Sequence, residues 1–216
     1  YREGVMKVII IVLALLLTAC APTSNTYIIE GSTSKADGEF YYLFSGYDVV
    51  DSAVVTAGHY RFEGVVDSLI PMRNIGSTNL VDRFEITRFT PVILEAGTIT
   101  VAEDDNSPTG GLVIGGTKGN NALRNFVVKG MELQERGKEA FSSEERKAIN
   151  NAYEELVRKS INRNLDNFAS VYLFTLSSNS YSTEQKEKFI SRLSPAMQKT
   201  KAIEELKRSL QTTKID

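Results

Sequence analysis

The hydrophobic period of this chain changes near Gly119, and that change limits what each half can become. Before it, short apolar runs alternate with polar residues and are broken by Gly, Asp and Ser; after it, apolar residues recur three and four positions apart over long stretches. Alternation places side chains on opposite faces of a strand, whereas the longer spacing gathers them into one stripe on a helix. The expected fold class is therefore α+β: an N-terminal antiparallel β-sandwich-like domain over 26–117, followed by an α-helical region over 118–216.

In the first half, Tyr27-Ile28-Ile29, Phe40–Phe44, Val54-Val55, His59–Val66, Pro91–Leu94, Gly97–Val101 and Leu112–Ile114 read as about seven short strands. Ala57-Gly58 between two of these runs fits a two-residue hairpin turn. Within His59–Val66, Tyr60, Phe62 and Gly64 share one face and His59, Arg61 and Glu63 the other. In the second half, Asn120 or Asn121 is placed to cap a helix carrying Leu123, Phe126, Val127 and Met131. Ser142-Ser143-Glu144-Glu145 has the form of a capping box and opens a long helix with a stripe through Ile149, Tyr153, Leu156, Val157, Ile161, Leu165 and Phe168. Ser182-Thr183-Glu184-Gln185 repeats that logic before Phe189, Ile190 and Leu193, and Pro195 is expected at the first position of a last helix with Ile203, Leu206 and Leu210 inward.

Ahead of the sandwich, Met6-Lys7 precedes the apolar run Val8–Leu17 and the small residues Thr18 and Ala19. A basic residue, a core of about ten apolar residues and small residues before a cleavage point are the parts of an export signal, too short to span a bilayer as a helix. Met6 reads as the initiator, with Tyr1–Val5 upstream of it. Leu17-Thr18-Ala19-Cys20 resembles the lipobox of bacterial lipoproteins, which implies lipidation of Cys20 and its exposure as the first mature residue. The expected division is a signal peptide over 1–19, a lipidated N-terminus and tether over 20–25, then the two regions above. The residues after Cys20 include no acidic cluster, which favours a lipid-anchored, periplasm-facing place in the cell envelope.

Cys20 is the only cysteine. Once lipidated it leaves no thiol for a disulfide, a thiolate metal site or a redox pair, so the core alone must hold the fold. Charge is uneven: 25–117 carries 5 Lys/Arg against 13 Asp/Glu, and 118–216 carries 18 against 13. The basic half interleaves its cations with acids at helical spacing, the pattern of a solvated helix surface and not of a nucleic-acid-binding arm.

No catalytic constellation emerges. Gly111–Lys118 lies where a phosphate loop would lie, but the order Gly116-Thr117-Lys118 puts lysine and hydroxyl out of place. His59 is the single histidine, short of the two or three imidazoles or thiolates of a zinc site, and its strand face is a solvated one. Asp104-Asp105-Asn106 offers oxygen ligands, yet Pro108 and Gly110 break EF-hand spacing. Asp48 and Asp51 read as flanking a turn. Tyr27, Tyr41, Tyr42, Tyr47 and Tyr60 either stack on a ligand or, as favoured here, fill the core. An enzyme built on carboxylates from different strands would need a deep cleft lined by paired Asp/Glu.

The stretches "YIIEG", "DSAVVTAGHYRFEGVV", "FTPVILEAGTITV" and "LVIGGTKGNNALRNF", in this order, resemble the domain of unknown function 4369 family of exported bacterial lipoproteins. Its pattern is a strand ending in Gly, Asp-Ser-Ala before a Gly-turn hairpin, Leu-Glu-x-Gly, and Gly-Thr-x-x-Asn entering a helix. In longer members the domain precedes a thioredoxin-like domain of thiol–disulfide oxidoreductase or peroxiredoxin type. No Cys-x-x-Cys is present here, so that activity carries over to no residue. The resemblance implies an envelope protein with a non-enzymatic binding or assembly role. The alternative is an accessory or truncated member of a thiol–disulfide oxidoreductase system. Expected partners are the membrane, through the lipid, and an envelope protein or small ligand, with a thioredoxin-like protein as one candidate; no cofactor, metal or nucleic acid is expected.

Overall fold

The computed structural model describes residues 25–77, 90–104 and 111–212. Leu17, Thr18, Ala19 and Cys20 lie outside the described residues, as do Asp105 and Asn106. Eight strands, β1 (Thr26–Ser32), β2 (Phe40–Ser45), β3 (Asp48–Val54), β4 (His59–Val65), β5 (Met72–Gly76), β6 (Thr90–Ile93), β7 (Gly97–Asp104) and β8 (Gly111–Gly115), form two four-stranded sheets. One has the order β4-β1-β7-β8 and the other β3-β2-β5-β6. Every pairing is antiparallel except β1 with β7, which is parallel.

Alternation does what the sequence requires. Ile29, Tyr41, Leu43, Tyr60, Phe62, Ile75, Val92, Ile99 and Val101 point between the sheets and are almost fully buried. Tyr27, Tyr41 and Tyr60 thus belong to the core, while Tyr47 stands 80% exposed. Two strands carry weak signals. In β3 only Ala53 is buried and a bulge shifts its register, so alternation is hidden; Asp48 opens this strand and Asp51 lies inside it, instead of both flanking a turn. β5 interrupts its apolar residues with Arg73 and Asn74.

Ala57 (φ 51) and Gly58 (φ 74) form the expected tight turn, both in the left-handed region. The turn does not lead into a long hairpin. Pairing stops at the single bridge Thr56–His59, and the two arms enter different sheets. It is a corner that carries the chain across the sandwich.

A Tyr-x-x-x-Gly pattern occurs in β1 (Tyr27, Gly31) and again in β4 (Tyr60, Gly64). The antiparallel register sets Tyr27 opposite Gly64 and Gly31 opposite Tyr60, with Ile29 on Phe62 between them. Each ring lies across the partner strand's glycine. A Cβ at Gly31 would sit 2.0 Å from Tyr60 Cζ, and one at Gly64 2.8 Å from the Tyr27 hydroxyl. Glycine is needed in both strands to give an aromatic neighbour room.

Five helices follow: α1 (Lys118–Lys138), α2 (Ser143–Asn162), α3 (Phe168–Ser177), α4 (Thr183–Arg192) and α5 (Lys201–Thr212). Both capping boxes form, Ser142 with Glu145 and Ser182 with Gln185. Three expectations change. The N-cap position of α1 is Thr117, which makes no side-chain capping bond, and not Asn120 or Asn121. The long helix expected through Phe168 ends at Asn162: the Asn164 amide donates to Ser160 O, and Asn167 accepts from Ala169 N to start α3. Pro195 precedes a short 3₁₀ turn at Met197–Lys199, and the last helix begins only at Lys201. α3 is apolar on all sides and runs through the middle of the helical core, which suits its lack of a polar face. Ile93 of β6 is part of that same core, so the helices pack on the outer face of the second sheet.

Candidate functional site

One carboxylate stands out chemically, at the end of the sandwich where β1 finishes. Glu103 on β7 accepts from Thr33 Oγ1 (2.7 Å), Ser34 N (2.8 Å), Ser34 Oγ (3.0 Å) and the Tyr41 hydroxyl. Partial burial alone would raise its pKa; the hydrogen bonds, led by Tyr41, outweigh that and hold it near 2. Burial, with the hydrogen bond to Glu103, raises the Tyr41 phenol. Tyr60 stacks on Tyr41 with centroids 3.8 Å apart and planes 10° apart. The Tyr60 hydroxyl is buried and has no hydrogen-bond partner among the described residues. A carboxylate charged at every physiological pH and engaged by four donors is a poor proton donor and a weak base. What it does is pin the loop after β1 to β7.

Around the corner from Glu103, a cleft of about 690 Å³ opens between the edges of β3 and β4. Ser52, Ala53 and Val54 line one side, His59, Tyr60 and Arg61 the other, with Glu30 and Gly31 of β1 at its floor. Among the described residues each flanking strand is paired along its length on one side only, β3 with β2 and β4 with β1. Arg61 bridges Glu30 (3.2 Å) and Glu63 (3.1 Å) across the sheet surface. His59 is exposed here, on the face expected for it. Glu30 is the single carboxylate of the lining and is already paired, so the cleft lacks the paired acids a carboxylate enzyme needs.

The glycine-rich segment before α1 is a joint. Gly116 (φ 90) brings the chain so close to β7 that a Cβ would meet Thr98 O at 2.4 Å. The N-terminus of α1 is filled by this chain's own carboxylate: Gly119 N donates to Glu95 Oε2 at 2.8 Å. Asn120 is buried and treats β6 as a neighbouring strand would, accepting from Ile93 N (2.9 Å) and donating to Ile93 O (2.7 Å) and Thr117 Oγ1 (2.8 Å). Lys118 turns outward to Asp166. A phosphate has neither a free helix end nor a lysine here.

Sequence motifs therefore mark fold positions: Leu-Glu-x-Gly (Leu94–Gly97) and Gly-Thr-x-x-Asn (Gly116–Asn120) are the two halves of one hydrogen-bonded joint. The Glu103 network escaped sequence reading because its donors lie 62 to 70 residues away and share no spacing. Among the described residues no group of three or more His, Cys, Asp or Glu could hold a metal, and no helix is long and apolar enough to cross a membrane.

No curated protein and no solved structure matches the chain. One family model does, and its match takes in the sandwich from Tyr27 onward, both Tyr–Gly pairs and the joint that seats α1. Residues 27–123 match the family model described as Domain of unknown function (DUF4369).

Proposed function

We propose that this is a lipid-anchored, periplasm-facing envelope protein that works as a non-enzymatic binding module, taking an extended polypeptide in the cleft between β3 and β4. The observation that carries the reading is the cleft itself, about 690 Å³ between two strand edges that, beyond the Thr56–His59 bridge, have no outward strand partner among the described residues. Such edges recruit an extended segment through main-chain hydrogen bonds, and the flanking side chains select it. Arg61 and His59 on one wall and Val54 on the other offer polar and apolar contacts together. Leu17-Thr18-Ala19-Cys20 supports the anchor, because a cysteine at that place after an apolar run is where lipid is attached.

Two measurements test this. Intact mass of the membrane-bound chain is expected to give a product starting at Cys20 with fatty-acyl mass. A photo-crosslinking residue at Val54 is expected to capture a discrete envelope polypeptide that one at Leu176, exposed on the helices, does not. Identical products from both positions, or none from Val54, would refute the cleft as a binding face. Capture of a thioredoxin-like protein would instead assign the chain to a thiol–disulfide oxidoreductase system.

A further inference from the structure

The strand registers bring three stretches to one end of the sandwich. Thr26 begins β1 opposite Val65, the last residue of β4; Val66 N donates to Asn25 O, and the Asn25 side-chain amide donates back to Val66 O. The 66–71 loop then leads into Met72 of β5. Because Phe44 pairs with Asn74, the turn after β2 at Gly46-Tyr47 lies beside that start of β5. At this end stand Tyr47 (80% exposed), Val49, Val50, Val65 (72%), Leu69 (53%) and Ile70, six of the eleven exposed large apolar residues among those described.

The loop tip is built for leaving water. Leu69 N and Ile70 N both donate to Asp67 Oδ1 (3.0 and 3.2 Å). Leu69 O accepts from Lys201 N (3.0 Å), and Ile70 O accepts from Arg73 Nη1 (2.6 Å). All four backbone polar groups of the two exposed apolar residues are satisfied within the protein, which removes the main cost of entering a lipid interface. Among the described residues at this end, Arg73 is engaged by the loop and Asp67, Lys201 is paired with Glu205 at 4.0 Å, and Asp48 adds an acid, so the cations here are matched by carboxylates.

The chain also enters here. Cys20 precedes Asn25 by five residues, which fully extended reach about 17 Å. On the anchoring reading, on which this inference rests, the Asn25 end is held within that distance of the bilayer. We infer that this end of the sandwich docks on the membrane surface, with Tyr47, Leu69 and Ile70 in the headgroup region of zwitterionic lipid. The opposite end, with the cleft beside the Ala57-Gly58 turn, then faces away from the membrane.

The chain contains no tryptophan, so one introduced residue is a unique probe. The full acylated chain carrying Tyr47→Trp, Leu69→Trp or Val54→Trp is reconstituted in phosphatidylcholine–phosphatidylethanolamine vesicles with and without brominated acyl chains. Val54 pairs with Phe40 at the far end of β3 and serves as the reference. The Tyr47→Trp and Leu69→Trp chains are expected to lose about half of their emission to the brominated lipid, and the Val54→Trp chain almost none. Acyl mass with no quenching at any position overturns the docking surface and leaves the anchor standing. Absence of acyl mass overturns the anchor and the docking together. A blue shift that grows with protein concentration without vesicles assigns the surface to a second copy and overturns the lipid assignment.

Discussion

Replacing Gly31 with alanine puts a methyl carbon 2.0 Å from Cζ and 2.3 to 2.4 Å from Cε2 and Cε1 of Tyr60, far inside van der Waals contact. The ring cannot withdraw freely, because Tyr41 stacks on it at 3.8 Å and Phe62 meets it edge-on at 6.1 Å. Backbone strain plays no part, since Gly31 is paired as ordinary strand between β4 and β7. Two opposed magnitudes decide the sign. Alanine in a strand gains about 0.5–1 kcal/mol over glycine through lower unfolded-state entropy. Overpacking a close-packed core costs about 1–3 kcal/mol, and a rigid ring backed by another ring belongs at the upper end. The net expectation is a loss of about 2 kcal/mol, or roughly 4–8 °C in melting temperature for a protein of this size. Gly64→Ala meets only the far end of Tyr27 at 2.8 Å and is expected to cost less than half as much. Urea unfolding followed by circular dichroism measures both. A Gly31→Ala chain as stable as the parent would refute the account of glycine making room for Tyr60, and a Gly64→Ala chain weaker than Gly31→Ala would reverse the ranking of the two pairs.

Further outcomes follow from the same structure. Asn120→Ala leaves Ile93 N–H and C=O buried without their side-chain partner and is expected to cost about 2–4 kcal/mol in urea unfolding; a loss under about 1 kcal/mol would mean the joint contributes little. Tyr60→Phe removes a buried hydroxyl that lacks a partner among the described residues, so it is expected to leave stability unchanged or raise it by up to about 2 kcal/mol. Destabilisation by more than about 1 kcal/mol would show that the hydroxyl is bonded in solution. The Glu103 pKa is lowered on folding, so its contribution is present above the unfolded carboxyl range and is lost as pH falls through about 2. Thermal melts between pH 5 and pH 2 are accordingly expected to fall more steeply for the parent than for Glu103→Gln; parallel profiles would remove Glu103 from the linkage.

What the sequence by itself determined is whatever depends on neighbours along the chain. Alternation set the faces of β1, β4 and β7, the Ala57-Gly58 pair set a tight turn, and Ser-x-x-Glu and Ser-x-x-Gln set two helix starts, because each of these is a matter of a few consecutive residues. The same holds for the α+β order. What only the tertiary structure decided is whatever depends on neighbours across space. That the arms of the Ala57-Gly58 turn part into different sheets follows from the pairing of β4 with β1 and β3 with β2, not from the turn. Asn120 lies inside α1, past the N-cap Thr117, and its amide is spent on both the donor and the acceptor of Ile93 at a strand edge instead of on capping. Glu103 became the most perturbed carboxylate only when folding gathered donors from around Thr33 and from Tyr41, and Tyr47 became an exposed apolar tip only when β2 and β3 met as a hairpin. Local periodicity fixes which face of an element is apolar; which faces and ends are left over for a partner is settled by how the elements pack, since burial is a property of the assembled surfaces.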